Sequence, residues 1–180
     1  MQNHHPESIS TSPKIFAQQN FFSCRTHLIS IIDSALRNPY LVRAAALELA
    51  YTDSDLYQGY RSPPLQSVRP ELYTSLCEEI FPQQVPYHVH LQFQWIPKSY
   101  VRGTQHQDNP QITTSGVLYL TPKPQADSGT GFLLADGEFS VDNQFNRLVL
   151  FDSQIHHSAN AYFGTRIENS RLTLVIFSSS

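Results

Sequence analysis

Two short stretches hold side chains whose types and spacing suit metal chemistry. In "HQDNP", residues 106–110, an imidazole and a carboxylate stand two residues apart. On extended backbone such a pair points the same way, because strand side chains alternate with a period of two. Further on, "NRLVLFDSQIHHSA" carries the adjacent pair His156 and His157 at the end of an apolar run. Two imidazoles and one carboxylate presented from neighbouring strands form a facial triad, which holds an octahedral Fe(II) and leaves three positions for a chelating co-substrate and dioxygen. Zinc more often takes a closed tetrahedral set or needs a hydrolytic base beside it, and the sequence offers no evident base. Taken alone, His-x-Asp is equally an ordinary polar strand edge.

A third residue adds weight. Arg171 opens "RLTLVIF", a strand candidate with no other charge. A guanidinium leading into a buried strand needs an anionic partner, since desolvating it alone costs several kcal/mol. A small dicarboxylate would supply one through a bidentate pair. Arg166, in "NAYFGTRIEN", is the competing cation, although a loop arginine is more often solvated. His88 and His90 also have alternate spacing, but no third ligand lies near them and a half-exposed polar strand face accounts for both. Arg61 in "GYRSPP" and Arg102 are further cations that an anionic substrate could meet.

The elements that must position these residues fall into two parts. "NPYLVRAAALELAY" opens on Asn38 and Pro39 and places Leu41, Val42, Ala45 and Leu49 on one helical face. "RPELYTSLCEEIF" repeats the pattern from Pro70, with Leu72, Leu76 and Ile80 at four-residue spacing. From residue 85 the period changes to two: in "YHVHLQFQWI", Val89, Leu91, Phe93 and Trp95 alternate with His88, His90, Gln92 and Gln94. "GVLYL", "GFLL", "RLVLF" and "RLTLVIF" follow as short strands separated by Gly, Pro, Asn and Asp. Helices followed by strands predict an α+β chain whose helices brace one side of an antiparallel sandwich or barrel.

The composition narrows the function classes. At 180 residues, 40% of them hydrophobic, the chain suits one domain. A formal charge of −3 without clustered sign gives no support to nucleic-acid or anionic-membrane partners. The polar start "MQNHHPESISTSPK", which contains His4 and His5, lacks an apolar signal core and reads as a tail over residues 1–14. No apolar run approaches the roughly 20 residues that span a bilayer. Cys24 and Cys77 lack metal or redox spacing and read as buried thiols in a reducing compartment, with the cytoplasm as default.

The order of these parts resembles the Fe(II)/2-oxoglutarate-dependent dioxygenases, specifically the prolyl-hydroxylase-like branch. The resemblance covers roughly residues 85–177. "LQFQWIPKSYVRGTQHQDNP" looks like the strand and loop leading into His-x-Asp, "TTSGVLYLTP" like the next core strand, and "SGTGFL" like the Gly-rich return strand. "RLVLFDSQIHHSA" looks like the strand carrying the distal histidine, and "RLTLVIF" like the strand whose arginine holds 2-oxoglutarate. With less specificity, "IIDSALRNPYLVRAAALELA" and "YQGYRSP" resemble the support helix and loop of small bacterial members.

The resemblance implies a double-stranded β-helix, a jelly-roll or cupin-like core over 85–177, supported by helices in 15–84 within one domain spanning 15–180. It implies His106, Asp108 and His157 as Fe(II) ligands; His156 stays open as the third, because adjacent strand residues face opposite sides. Arg171 would pair with the 2-oxoglutarate C5 carboxylate, with Thr173 facing the same way and Tyr119 bonding the same group. Where many members carry a tyrosine Ile96 stands, and Gln92, Gln94 or Tyr100 is expected in its place. The implied reaction uses Fe(II), 2-oxoglutarate and O2 to hydroxylate a small molecule, amino acid or peptide, releasing succinate and CO2. Asp108 supports hydroxylation over halogenation, since halogenating relatives have a small residue there. The competing reading is a non-catalytic β-barrel module that keeps the metal or ligand without turnover.

Overall fold

Strands dominate the chain after residue 85, but they also occur ahead of it. The computed structural model describes residues 19–24, 27–53, 58–101 and 103–179, and for 19–24, 27 and 28 the backbone only. The stretch 1–14, Arg102 and the Cys24 thiol lie outside what is described. Among the described residues, no helix is long and apolar enough to cross a membrane.

Among the described residues, eleven strands and three α-helices follow one another: β1 (Gln19–Cys24), β2 (His27–Ile32), α1 (Pro39–Leu47), β3 (Thr52–Asp53), β4 (Tyr60–Arg61), α2 (Leu65–Val68), α3 (Pro70–Ile80), β5 (His88–Ile96), β6 (Thr114–Tyr119), β7 (Thr130–Leu134), β8 (Gly137–Val141), β9 (Leu148–Asp152), β10 (His156–Ala159) and β11 (Arg171–Ser179). A 3₁₀ turn at Ile167–Asn169 precedes β11. The large sheet has the order β1-β2-β9-β6-β11-β5-β4-β3, the small one β10-β7-β8, and every pairing is antiparallel. The segment 15–84, read as helical support, therefore also contributes four strands. In β2 the β-branched Ile29 and Ile31 are buried, a pairing that suits a half-buried pleated surface.

The two faces of the large sheet have different neighbours. Leu172, Leu174 and Ile176 of β11 join Val89, Leu91 and Phe93 of β5 and pack with Val42, Ala46, Leu76 and Ile80 of the helices. On the other face, Val117 and Tyr119 of β6, Val149 and Phe151 of β9 and Ile29 and Ile31 of β2 meet Phe132 and Val141 of the small sheet. Helix α3 buries Leu76 and Ile80 as its spacing predicts. Helix α1 is rotated from its expected face: Val42, Arg43 and Ala46 are buried, whereas Leu41 is 70% exposed. The reason is Arg43, whose guanidinium turns inward to donate to the carbonyls of Leu120 and Glu168, both at 2.7 Å. Asn38 caps through its carbonyl, not its side chain.

Two local devices hold the strands that carry the site. Gly129 passes so close to the Val141 carbonyl that a Cβ there would collide with it. Asn146, at φ 64°, precedes β9 in the left-handed region that Asn tolerates. Its amide brackets Leu36, accepting from the Leu36 N–H and donating to the Leu36 carbonyl, both at 2.9 Å, while its backbone N–H donates to Tyr119 at 2.9 Å. Asn146→Ala would leave two buried backbone groups of Leu36 unpaired. We expect a loss of about 2–4 kcal/mol, read as a lower denaturation midpoint at unchanged m-value.

Candidate active site

The backbone around residues 106–110 is set by the strands it touches. His106 and His157 form an antiparallel bridge: the His106 N–H donates to the His157 carbonyl at 3.1 Å and the His157 N–H returns to His106 at 2.9 Å. The Asp108 N–H donates to the Ser153 carbonyl at 3.0 Å. Asn109 then turns the chain toward β6, its carboxamide oxygen accepting from the Gln111 N–H at 2.9 Å and its carbonyl from Ile112 at 2.8 Å. Asn109 thus closes the turn that follows Asp108.

Within this frame His106, Asp108 and His157 bring one ligand atom each to within 4.8 Å of one another. In a facial triad the donors are mutually cis, about 3.0 Å apart at metal–donor distances of about 2.1 Å, so side-chain adjustments of up to about 2 Å would close the three round one ion. His157 Nε2 is 3.6 Å from Asp108 Oδ2, with both side chains 12% exposed. The Nδ1–H of His157 donates to the Ile155 carbonyl at 2.9 Å, which leaves the Nε2 lone pair for a ligand. Burial lowers the His157 pKa, and this outweighs the opposing pull of Asp108; the neutral imidazole is the ligating form. Ser115 Oγ donates to Asp108 Oδ2 at 2.5 Å and orients the carboxylate. His156, the neighbour on β10, is exposed and points away. The donor set is two imidazoles and one carboxylate with no thiolate, which fits a non-haem Fe(II) centre better than a closed zinc site.

The triad opens on a cavity of about 1260 Å³ lined by residues of β5, β6 and β11. Arg171 lines it and is 2% exposed. Its Nε donates to the Ser128 carbonyl at 3.3 Å and its Nη2 to Thr130 Oγ1 at 3.4 Å, and its Cζ lies 5.6 Å from the Tyr119 ring centroid. Burial depresses its pKa, and no carboxylate forms an ion pair with it among the described residues. Arg166, by contrast, is exposed and lies 4.0 Å from Glu168.

The other predicted residues divide. Tyr119 and Thr173 are fully buried and flank Arg171, but neither lines the cavity. The Tyr119 hydroxyl, whose pKa burial raises, is hydrogen-bonded to Thr130 Oγ1 at 2.7 Å. Thr130 is the residue the sequence reading missed: it touches both Tyr119 and Arg171 and does face the cavity. Its only signal was its place between two glycines in "SGTGFL". Ile96, where many members of the resembled family carry a tyrosine, is buried and lines the cavity, as do Gln92, Gln94 and Tyr100. Gln94 lies beside Thr173 in the ladder, and its amide nitrogen donates to the Gln58 carbonyl at 2.6 Å.

Metal titration separates the two histidines. We expect His157→Ala to weaken Fe(II) binding at least tenfold, in the range seen when a metal site loses one supporting group, and His156→Ala to leave it unchanged.

No family model matches the sequence, and a search of curated proteins returns no match. Solved structures do match. A prolyl-4-hydroxylase from Pseudomonas putida aligns with 86% of this chain and 94% of its own at 21% identity, with a TM-score of 0.55. A 2OG-Fe(II) oxygenase family oxidoreductase from Burkholderia pseudomallei aligns with 83% and 82% at 14% identity and a TM-score of 0.58. HygX from Streptomyces hygroscopicus, solved with nickel and 2-oxoglutarate, aligns with 84% and 83% at 12% identity and a TM-score of 0.60; a second HygX structure also holds hygromycin B. With its antiparallel sheets and a His-Asp-His cluster at the cavity mouth, the chain has the fold of the Fe(II)/2-oxoglutarate oxygenases.

Proposed function

We propose that this protein is an Fe(II)- and 2-oxoglutarate-dependent dioxygenase built on a double-stranded β-helix, hydroxylating a small molecule, an amino acid or a peptidyl side chain. The observation that carries the reading is one cavity holding both a two-histidine, one-carboxylate cluster and a buried arginine with no carboxylate paired to it among the described residues. When bound, the iron supplies the oxidation, in which O2 places one oxygen atom in succinate, with loss of CO2, and the other in the substrate.

The chain's own groups do the positioning. His106, Asp108 and His157 hold the metal, with Ile155 and Ser115 setting the orientation of the last two. Arg171 offers its guanidinium to the distal carboxylate of 2-oxoglutarate, and the Thr130 hydroxyl, held by Tyr119, lies beside it. Binding an anion there offsets the desolvation of the guanidinium. Tyr119 acts from behind the cavity wall, and Thr173 packs next to it. A non-catalytic module would be favoured by a missing ligand or a missing anchor, and neither is missing.

Anaerobic addition of Fe(II) and 2-oxoglutarate tests the reading directly: the weak visible charge-transfer band of a metal-chelated 2-oxo acid is expected, and its absence overturns the assignment. Arg171→Leu should raise the 2-oxoglutarate concentration needed for half-maximal band intensity by about 30-fold or more, as removal of one partner of a buried charge pair costs 2–5 kcal/mol. Arg166→Leu should change it less than twofold. Asp108→Ala should abolish succinate release while circular dichroism stays that of the wild type.

A further inference from the structure

The two imidazoles of the triad are oriented in the same way. Each donates its Nδ1–H to the carbonyl two residues earlier in the chain, His157 to Ile155 at 2.9 Å and His106 to Thr104 at 3.3 Å. A carbonyl can only accept, so both rings carry the proton on Nδ1 and keep the Nε2 lone pair for a metal. The two carbonyls are held differently. Ile155 is 2% exposed and packs in the cluster that contains Phe132 and Phe151. Thr104 is exposed and lies outside any strand, so burial does not fix its carbonyl.

A side chain from far upstream holds it instead. Gln58 Nε2 donates to the Thr104 carbonyl at 3.3 Å, and a series of donors that begins on the backbone sets the direction of this amide. The Gly103 N–H donates to the Tyr162 hydroxyl at 3.1 Å. That hydroxyl donates to Gln58 Oε1 at 3.0 Å, which turns the NH2 of the amide toward Thr104. Gln58, Tyr162 and the Gly103–Thr104 segment thus close a ring of hydrogen bonds. The main chain of Gln58 is fixed as well, because its carbonyl accepts from Nε2 of the buried Gln94 at 2.6 Å. Gly103 makes room for the amide: a Cβ at that position would collide with Gln58 Nε2. Gln58, Gly103 and Thr104 all line the cavity, so the ring is part of its wall.

We propose that Gln58, oriented by Tyr162, is a positioning residue for the metal ligand His106: through the Thr104 carbonyl it fixes the Nδ1–H tautomer and aims Nε2 at the point shared with Asp108 and His157. Ser115 and Ile155 set the other two ligands, and Gln58 completes the set. The inference rests on the dioxygenase reading for the use made of the metal, and on hydrogen bonds alone for the orientation of the ring.

The test reads the imidazole tautomers of the full chain by two-dimensional ¹H–¹⁵N NMR, without metal and at a pH where the rings are neutral. His106 should be predominantly the Nδ1–H form in the wild type; a predominantly Nε2–H form overturns the proposal. Gln58→Met keeps the length and neutrality of the side chain but has no N–H donor. In this variant the ratio of Nδ1–H to Nε2–H at His106 should fall about fivefold, the worth of one hydrogen bond, while His157 keeps its ratio. Tyr162→Phe should act in the same direction by freeing the amide. A packing role would survive in Gln58→Met, so an unchanged His106 ratio there overturns the proposal, as does an equal shift of both histidines. If Gln58→Met does not fold, Tyr162→Phe decides by the same criteria. Anaerobic Fe(II) titration supplies the second readout: binding should weaken about tenfold in Gln58→Met, and unchanged affinity overturns the role toward the metal. If the wild type binds no Fe(II), the dioxygenase reading fails by itself, and the tautomer ratios still decide whether Gln58 sets the ring.

Discussion

The register of β6, β11 and β5 is the constraint on which the rest of the molecule depends. Thr173 faces Tyr119 on one side and Gln94 on the other, and Phe177 faces Ser115 and His90. Because side chains alternate, a one-residue slip of β11 would carry Arg171 into the cluster of Leu172, Leu174 and Ile176 and put those leucines in the cavity. The leucine face packs on α1 and α3, so the hydrophobic effect that docks the helices also aims the arginine. Positioning the site and burying the core are one event in this sheet.

The cavity is polar where the core is not, and Arg171, His90 and His157 are each held by nearby hydrogen bonds. Arg171 has weak neutral acceptors at 3.3 and 3.4 Å, an arrangement that holds a guanidinium in place yet leaves its charge for a ligand. His90 is treated the opposite way, with both ring nitrogens bonded to glutamine amides. Identical residue types in one pocket thus have different fates: His157 keeps a free nitrogen because its other one bonds the Ile155 carbonyl, whereas His90 has none to offer a metal.

The His-Asp-His cluster is held by backbone more than by side-chain contact. Reciprocal bonds between His106 and His157 and the bond from Asp108 to Ser153 tether the loop 103–110 to the strand pair around β10. That loop is largely exposed, and these backbone bonds keep His106 and Asp108 in register with His157. Ser153 adds a second tie through its hydroxyl, which donates to the Ile112 carbonyl.

Much of this was legible in the residues themselves. The alternation of "YHVHLQFQWI" and the four-residue spacing of Leu72, Leu76 and Ile80 identified β5 and α3, since burial on one face leaves a period that local sequence displays. His106 and Asp108 were legible as a pair because their spacing matches the strand repeat, and Arg171 because a lone charge on an apolar strand asks for a partner. What remained hidden depended on residues distant in sequence. The inward turn of α1 at Arg43 needs the carbonyls of Leu120 and Glu168, which no helical periodicity records. The choice of His157 over His156 belongs to the bridge with His106, because two adjacent strand residues are equivalent until a partner strand assigns their faces. The same holds for Thr130 and Ser115: their types are ordinary in sequence, and only the ladder that sets them around one cavity makes them neighbours of the triad and of Arg171.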